Sequence, residues 1–243
     1  MINKIFLGDC LEILKEIPNN SIDMIFCDLP YGTTKNKWDK IIDLESLWKQ
    51  YERIIKANGC IALTAQSPFD KILAMSNLKL FRYEWIWVKN KSTGHLNAKK
   101  MPMKSHENIL IFYKKLPKYY PQKTFNHKPI NAVSKKNTIK NSNYNDYIQT
   151  GTKGGDTSRF PIDTIYIPVI NNDNKDKFHP TQKPVELAEY FIKTYTDIGD
   201  VVLDNCFGSG STIIACKNLN RNFIGIEINE IYFNKFQEIL YKI

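Results

Sequence analysis

Paired cysteines are what this chain most evidently lacks. Its five, Cys10, Cys27, Cys60, Cys206 and Cys216, are odd in number, widely scattered and form no CxxC pair. That pattern indicates neither a disulfide framework nor a zinc site, and it predicts buried, reduced thiols. No apolar run approaches the roughly 20 residues that cross a bilayer as a helix. The opening MINKIFLGDC meets an acid and a cysteine after a short apolar stretch, unlike a signal peptide. The expectation is a cytoplasmic protein with no membrane partner and no metal. Acidic residues are scarce in one place. Lys91 to Lys177 holds 16 Lys and Arg against 6 Asp and Glu, whereas the rest of the chain has 18 against 19, so the positive excess resides in that segment. Interleaved there are Tyr119, Tyr120, Phe125, Tyr144, Tyr147 and Phe160, a mixture that suits a polyanion offering flat bases to stack on. A lysine-rich solvated surface is the plain alternative.

Seven short apolar runs recur: IFLG at 5–8, IDMIF at 22–26, CIALTA at 60–65, YEWIWV at 83–88, ILIFY at 109–113, VVLD at 201–204 and FIGIEI at 223–228. They are apolar on both faces and alternate with helical patterns such as LESLWKQYERIIKA (44–57) and PVELAEYFIKTY (184–195). Such runs indicate an α/β fold, a Rossmann-like, mostly parallel sheet flanked by helices. In the second helical stretch Val185, Ala188, Phe191, Ile192 and Tyr195 share one face, and Pro184 suits the first turn. Residues 114–178 show little periodicity and many Asn, Lys, Gly and Ser, so they read as an insertion between 1–113 and 179–243, two halves of one core. Residues 131–146 are expected to be its most mobile part.

Two places along this pattern carry chemistry. In an open parallel sheet, ligands sit beyond the carboxyl ends of strands, where Asp28, Leu29, Pro30 and Tyr31 fall after IDMIFC. Asp28 offers an acceptor. Pro30 has a fixed φ and no backbone donor, so the carbonyls of Leu29 and Pro30 are available to a ligand, and Tyr31 adds a flat surface. An amine on an aromatic ring has its lone pair drawn into the ring. It becomes a useful nucleophile when acceptors hold its N–H groups out of that plane, which a carboxylate and a carbonyl do together. A strand-ending turn with an aspartate cap is the structural alternative. The second place, VVLDNCFGSGSTIIACKNLNRNFIGIEI, reads strand, glycine loop, helix, strand and acid. Gly208 and Gly210 allow close approach of backbone to ligand, the helix beginning near Ser211 turns N–H groups toward an anion, and Glu227 is placed to accept two ribose hydroxyls. Ile213 stands where the last glycine of GxGxxG would fall, which disfavours a dinucleotide.

DLPY resembles the catalytic Asp-Pro-Pro-Tyr motif of the DNA amino-methyltransferases, with Leu29 in place of the commoner proline. DNCFGSGST resembles their cofactor motif, GDCLEILKEIP their motif ahead of the catalytic strand, and HPTQKP (179–184) their segment near the methionine end of the cofactor. The order, catalytic motif first and cofactor motif last with the basic insertion between, is that of the β class. The resemblance runs from Gly8 to about Tyr113 and from Phe160 to Glu227. It implies the class I methyltransferase fold, S-adenosylmethionine as cofactor, double-stranded DNA as partner, and methyl transfer to the N6 amine of an adenine swung out of the duplex. It implies Asp28, Leu29, Pro30 and Tyr31 as catalytic residues, with Tyr31 stacking on the extruded base. As cofactor-binding residues it implies Asp9, Cys10, Asp28, Thr181, Gln182, Lys183, Asp204, Phe207, Gly208, Ser209, Gly210 and Glu227. Within that set Asp9 accepts from the cofactor's adenine amine, although with Glu12 it also reads as a helix capping box. Asp204 reaches the cofactor's amino group, and Thr181, Gln182 and Lys183 take its carboxylate or order their own loop. Lys35 and Lys37 are candidate phosphate contacts, Trp38 a packing anchor, and 114–177 the segment that reads the target.

Other readings stay open on the sequence. Cytosine N4 offers similar chemistry, with Asp28 pointing to adenine and a serine there, in the family, leaning to cytosine. An inactive DNA-binding or specificity subunit keeps the fold without turnover, related acid-proline motifs serve RNA and protein glutamine, and a nicotinamide dehydrogenase is more distant. Whether the chain acts as a monomer or a homodimer, and beside a restriction nuclease or alone, is likewise open.

Overall fold

The structure is a computed structural model describing residues 1–32, 40–133, 137–139, 147–149, 151–171, 173 and 177–242, with the backbone alone at 137–139 and 147–149. Lys35, Lys37 and Trp38, and residues 134–136 and 140–146 of the stretch read as mobile, lie outside the described residues. The first half holds β1 (Lys4–Leu7), α1 (Cys10–Ile13), β2 (Ile22–Asp28), α2 (Leu44–Ile54), β3 (Ile55–Ala65), α3 (Phe69–Ser76), β4 (Phe81–Thr93) and β5 (Lys104–Phe112). The second holds β6 (Asn137–Ile139), β7 (Tyr147–Gln149), β8 (Thr164–Tyr166), α4 (Val185–Tyr195), β9 (Val201–Asp204), α5 (Ser211–Asn218), β10 (Asn222–Glu227) and α6 (Glu230–Leu240). Two compact units result, Met1–Tyr120 with Asp163–Ile243, and Pro121–Ile162.

The larger unit is built on an eight-stranded sheet in the order β1-β10-β9-β2-β3-β5-β4-β8, parallel except where β5 meets β3 and β4. β2 lies inside it and shows why these strands read as apolar throughout. Its side chains alternate with period two: Ile25 and Cys27 join Leu14, Leu47, Tyr51 and Leu63 on one face, while Met24 and Phe26 join Phe191, Ile192, Ile213 and Phe236 on the other. Each such fully buried side chain contributes roughly 1.5–3 kcal/mol relative to exposure. Three of the helices, α1, α2 and α6, begin where a polar side chain satisfies one of the first N–H groups. Asp43 accepts from the Ser46 amide at 2.9 Å, and Asn229 from the Ile231 amide at 2.9 Å. Asp9 likewise caps α1 through the Leu11 amide at 2.7 Å, but Glu12 turns to Lys15 at 2.7 Å instead of closing the expected box.

Strand direction decides what meets at the sheet's edge. β1, β10, β9, β2 and β3 all run the same way, so their carboxyl ends share one edge, with Leu7 opposite Glu227, Gly225 opposite Asp204 and Asp28 opposite Thr64. β5 departs from that direction because a hairpin joins it to β4, whereas a parallel neighbour needs a full crossover. Its reversed course places its early residues, Glu107 and Asn108, at the same edge, with Asn108 opposite Ala65.

The separately packed unit, Pro121–Ile162, is narrower than the insertion 114–178 expected from composition. Both ends of that insertion are held by the larger unit. Lys114 donates to the Glu52 carbonyl at 2.5 Å, Lys118 pairs with Asp197 at 2.7 Å and Asp200 at 2.8 Å, and β8 pairs with β4. Within the small unit β6 and β7 form an antiparallel pair, Thr124 and Arg159 exchange backbone bonds of 3.1 and 2.8 Å, and the Lys123 ammonium lies 4.3 Å from the centre of the Phe160 ring. Among the described residues no helix is long and apolar enough to cross a membrane.

Candidate active site

A cavity of about 1240 Å³ opens at the edge where the carboxyl ends converge. It exceeds the roughly 300–1,000 Å³ of an ordinary single-ligand site. Asp28, Leu29, Pro30 and Tyr31 stand on its wall, and so do Asp9, Cys10, Thr181, Gln182, Lys183, Asp204, Phe207, Gly208, Ser209 and Glu227. The two places singled out in the sequence therefore face one space.

Gly210 is the exception. It is not on the wall; it precedes α5 with φ +76°, and a methyl group built on it would come within 1.9 Å of the Phe236 ring. Its lack of a side chain serves the contact between α5 and α6. Gly208, at φ +49°, does face the cavity, and its amide donates to Glu227 Oε2 at 2.8 Å. Glu227 Oε1 accepts from the Asn229 amide at 2.7 Å. Burial pushes the Glu227 carboxyl up, against the pull of those amides. Asp204, at the end of β9, is buried, accepts from the Cys206 amide at 3.1 Å, and is pushed up to about 7 by its burial. A nucleoside with a cationic tail fits this donor set: a braced carboxylate for hydroxyls, a second acid for an ammonium, and a glycine where backbone must come close.

HPTQKP orders its own loop. Gln182 Oε1 accepts from the Phe178 amide at 3.2 Å, and the Thr181 amide donates to His179 Nδ1 at 3.3 Å. That bond leaves the ring proton on Nε2, consistent with a His179 pKa lowered to about 4 by burial. The His179 ring packs on Tyr232 at 4.3 Å between centroids. Ser211 Oγ donates to the Lys183 carbonyl at 2.6 Å, tying the segment to the start of α5.

The Lys183 side chain goes elsewhere than to a loop partner. Its ammonium lies 2.6 Å from Asp28 Oδ2 and 3.2 Å from Glu107 Oε2. Asp28 Oδ1 accepts from the Tyr31 hydroxyl at 2.6 Å and from the Thr64 hydroxyl. Burial, reinforced by Asp28, holds the Tyr31 phenol well above its ordinary range, so it stays a neutral donor. Its ring stacks on Phe69 at 5.5 Å. Leu29 buries its side chain in the core. Lys89 completes the group with a 3.0 Å bond to Glu107 Oε1. Thr64, Lys89 and Glu107 were not singled out in the sequence. For Glu107 and Lys89 a signal existed, since each is a charge bordering an otherwise apolar strand, and a charge placed there needs a partner.

A family model described as "DNA methylase", covering N6 and N4 enzymes, matches residues 22–238. The chain belongs to that DNA methylase family. It is 31% identical to the Type II methyltransferase M.BglII of Bacillus subtilis over 98% of this chain and 69% of that protein. To the Type II methyltransferase M.HinfI of Haemophilus influenzae it is 30% identical over 100% of this chain and 69% of that one. Its fold matches the crystal structure of an M1.HpyAVI–SAM complex with a TM-score of 0.63, at 26% identity over 97% of this chain and 98% of that one. It also matches the cytosine-N4-specific PvuII DNA methyltransferase with a TM-score of 0.69, at 16% identity over 98% and 91%. The methylase is thus an amino-methyltransferase of the N6/N4 type, and S-adenosylmethionine is the methyl donor of its family. The class I fold read from the sequence is the one these structures share.

Proposed function

We propose that this methylase modifies the N6 amine of adenine in double-stranded DNA, with the base extruded into the cavity. The observation that carries the reading is the placement of Asp28 on the same cavity wall as Gly208 and Glu227. Bound there, S-adenosylmethionine supplies a methyl group already activated by its sulfonium. The chain's residues do the rest by position and charge. Glu227 takes ribose hydroxyls, Asp204 the amino group, and Asp9 the adenine edge of the cofactor, while Gly208 lets the backbone come close. Asp28 Oδ2 and the carbonyl of Leu29 or Pro30 accept the two N–H groups of the target amine, which turns its lone pair out of the ring plane. Tyr31, braced on Phe69, stacks with the base.

Approach of DNA is supported by the hairpin between β4 and β5. From Asn90 to His106 it carries four lysines and no acid, and its exposed residues Lys91 to His95 line the cavity. Lys123, Lys128 and Arg159 of the smaller unit, beside exposed Phe125 and Phe160, are the proposed phosphate and base contacts of target recognition.

Adenine rather than cytosine rests on Asp28. The test is methyl transfer from labelled cofactor to unmodified DNA, followed by digestion to nucleosides. N6-methyl-2′-deoxyadenosine is expected from the wild type. Asp28→Ala should be slower by about a hundredfold or more, the scale of losing a group aimed at the reacting centre. N4-methyl-2′-deoxycytidine as product overturns the base assignment, and no transfer to any DNA indicates a subunit without turnover.

A further inference from the structure

Before any base arrives, both oxygens of Asp28 are covered by the chain's own donors. Tyr31 and Thr64 hydroxyls take Oδ1, and the Lys183 ammonium takes Oδ2 at 2.6 Å. Glu107 shows the complementary feature. Its Oε1 accepts from Lys89 at 3.0 Å, whereas its Oε2, buried and without a well-aligned hydrogen bond among the described residues, is ion-paired with the same Lys183 ammonium at 3.2 Å. The Lys183 ammonium thus stands between two carboxylates, closer to Asp28 than to Glu107.

We propose that Lys183 is a two-position positioning residue: it caps Asp28 until the target amine arrives, then closes onto Glu107 Oε2 and leaves Asp28 Oδ2 to the amine. The inference rests on the role proposed above for Asp28. Two ammonium groups, Lys89 and Lys183, face two carboxylates, Asp28 and Glu107, so the cluster stays neutral in either position. A buried ammonium displaced from its carboxylate with no second one to meet is the expensive state, and Glu107 removes that penalty. Burial works to lower the pKa of Lys183 and to raise that of Glu107, yet the opposing charges outweigh it in both, so both groups stay ionised. The Lys183 main chain is held through its carbonyl by Ser211, while the four-carbon stem has the rotatable bonds to carry the ammonium over the short distance required. In this assignment Lys183 serves the base rather than the cofactor's carboxylate.

The test uses the full chain as wild type, Glu107→Gln, Lys183→Gln and the double variant, on a duplex carrying the sequence the wild type methylates. Single-turnover methyl transfer, cofactor affinity by calorimetry, and extrusion reported by 2-aminopurine at the target position are measured. Glu107→Gln leaves the ammonium no anionic alternative, so transfer should slow by about tenfold or more, the scale of one unmet buried interaction, with cofactor affinity unchanged. Adding Lys183→Gln should recover roughly threefold or more of that loss, a coupling that a merely structural Glu107 does not produce. The inference is overturned if Glu107→Gln transfers at the wild-type rate, if the double variant is no faster than Glu107→Gln, or if Lys183→Gln weakens cofactor binding about tenfold, the scale of a lost charge-assisted bond. Should Glu107→Gln not fold, Lys183→Gln decides alone: extrusion at or above the wild-type level with intact cofactor affinity supports the switch, and reduced extrusion removes it. A wild type that methylates no DNA defeats the proposed function as a whole, whereas an active wild type with contrary variants defeats only the switch.

Discussion

Replacing Gly210 with alanine should destabilise the fold without touching the cofactor. The residue has φ +76°, and its new methyl carbon would sit 1.9 Å from Cε2 and 2.2 Å from Cδ2 of Phe236, a fully buried ring. A left-handed backbone costs a non-glycine residue about 1 kcal/mol, and forcing an extra carbon into a packed core costs typically about 1–3 kcal/mol. The sum of about 2–4 kcal/mol corresponds, at roughly 2–4 °C per kcal/mol for a chain of this size, to a fall in Tm of roughly 4–16 °C. Gly208 is the control. Its φ is +49°, but the nearest atom to an added methyl is His179 Nε2 at 3.3 Å, so the strain is mainly that of the backbone, about 1 kcal/mol. Because Gly208 faces the cavity, alanine there should weaken cofactor binding while changing Tm little. Thermal unfolding and calorimetric cofactor titration on both variants separate the two glycines. A Gly210→Ala protein that melts with the wild type yet binds cofactor poorly would refute the packing argument.

Three further outcomes are expected. Asp204, pushed up to about 7 by burial, becomes a carboxylate only above that pH; if it holds the cofactor's ammonium, affinity should rise from pH 6 to pH 8, by roughly tenfold per unit at most. Calorimetry should show that rise lost in Asp204→Asn. His179 has its pKa lowered by burial from 6.5 to about 4, so its contribution to stability is fully present above 6.5 and drains away as pH falls toward 4. The gap in Tm between pH 7.5 and pH 5 should therefore narrow in His179→Gln. If Lys99 and Lys100, exposed on the β4–β5 hairpin, each contact a phosphate, replacing both with alanine should reduce the salt dependence of DNA affinity by a slope of about 2, read by fluorescence anisotropy across a salt series.

Much of the architecture was legible because it is written in local periodicity. The seven apolar runs are strands, and the helical patterns at 44–57 and 184–195 are α2 and α4 with ends within a few residues of the reading. The reversed direction of β5 was not legible, since an apolar run looks the same whichever way it is threaded. α3 and α6 went unread among the loops around them. In the smaller unit the brief strands β6 and β7 are too short to carry a period.

By itself the sequence determined which residues end strands beside glycines, prolines and acids, and in what order those motifs come, because each is a property of a few neighbours along the chain. Only the tertiary structure decided what those residues face. Lys183 meets Asp28 across 155 positions, the Phe236 ring packs against Gly210, and Glu107 arrives at the site through an antiparallel neighbour. Those pairings depend on strand register and helix packing summed over the whole core, and no stretch of sequence contains them.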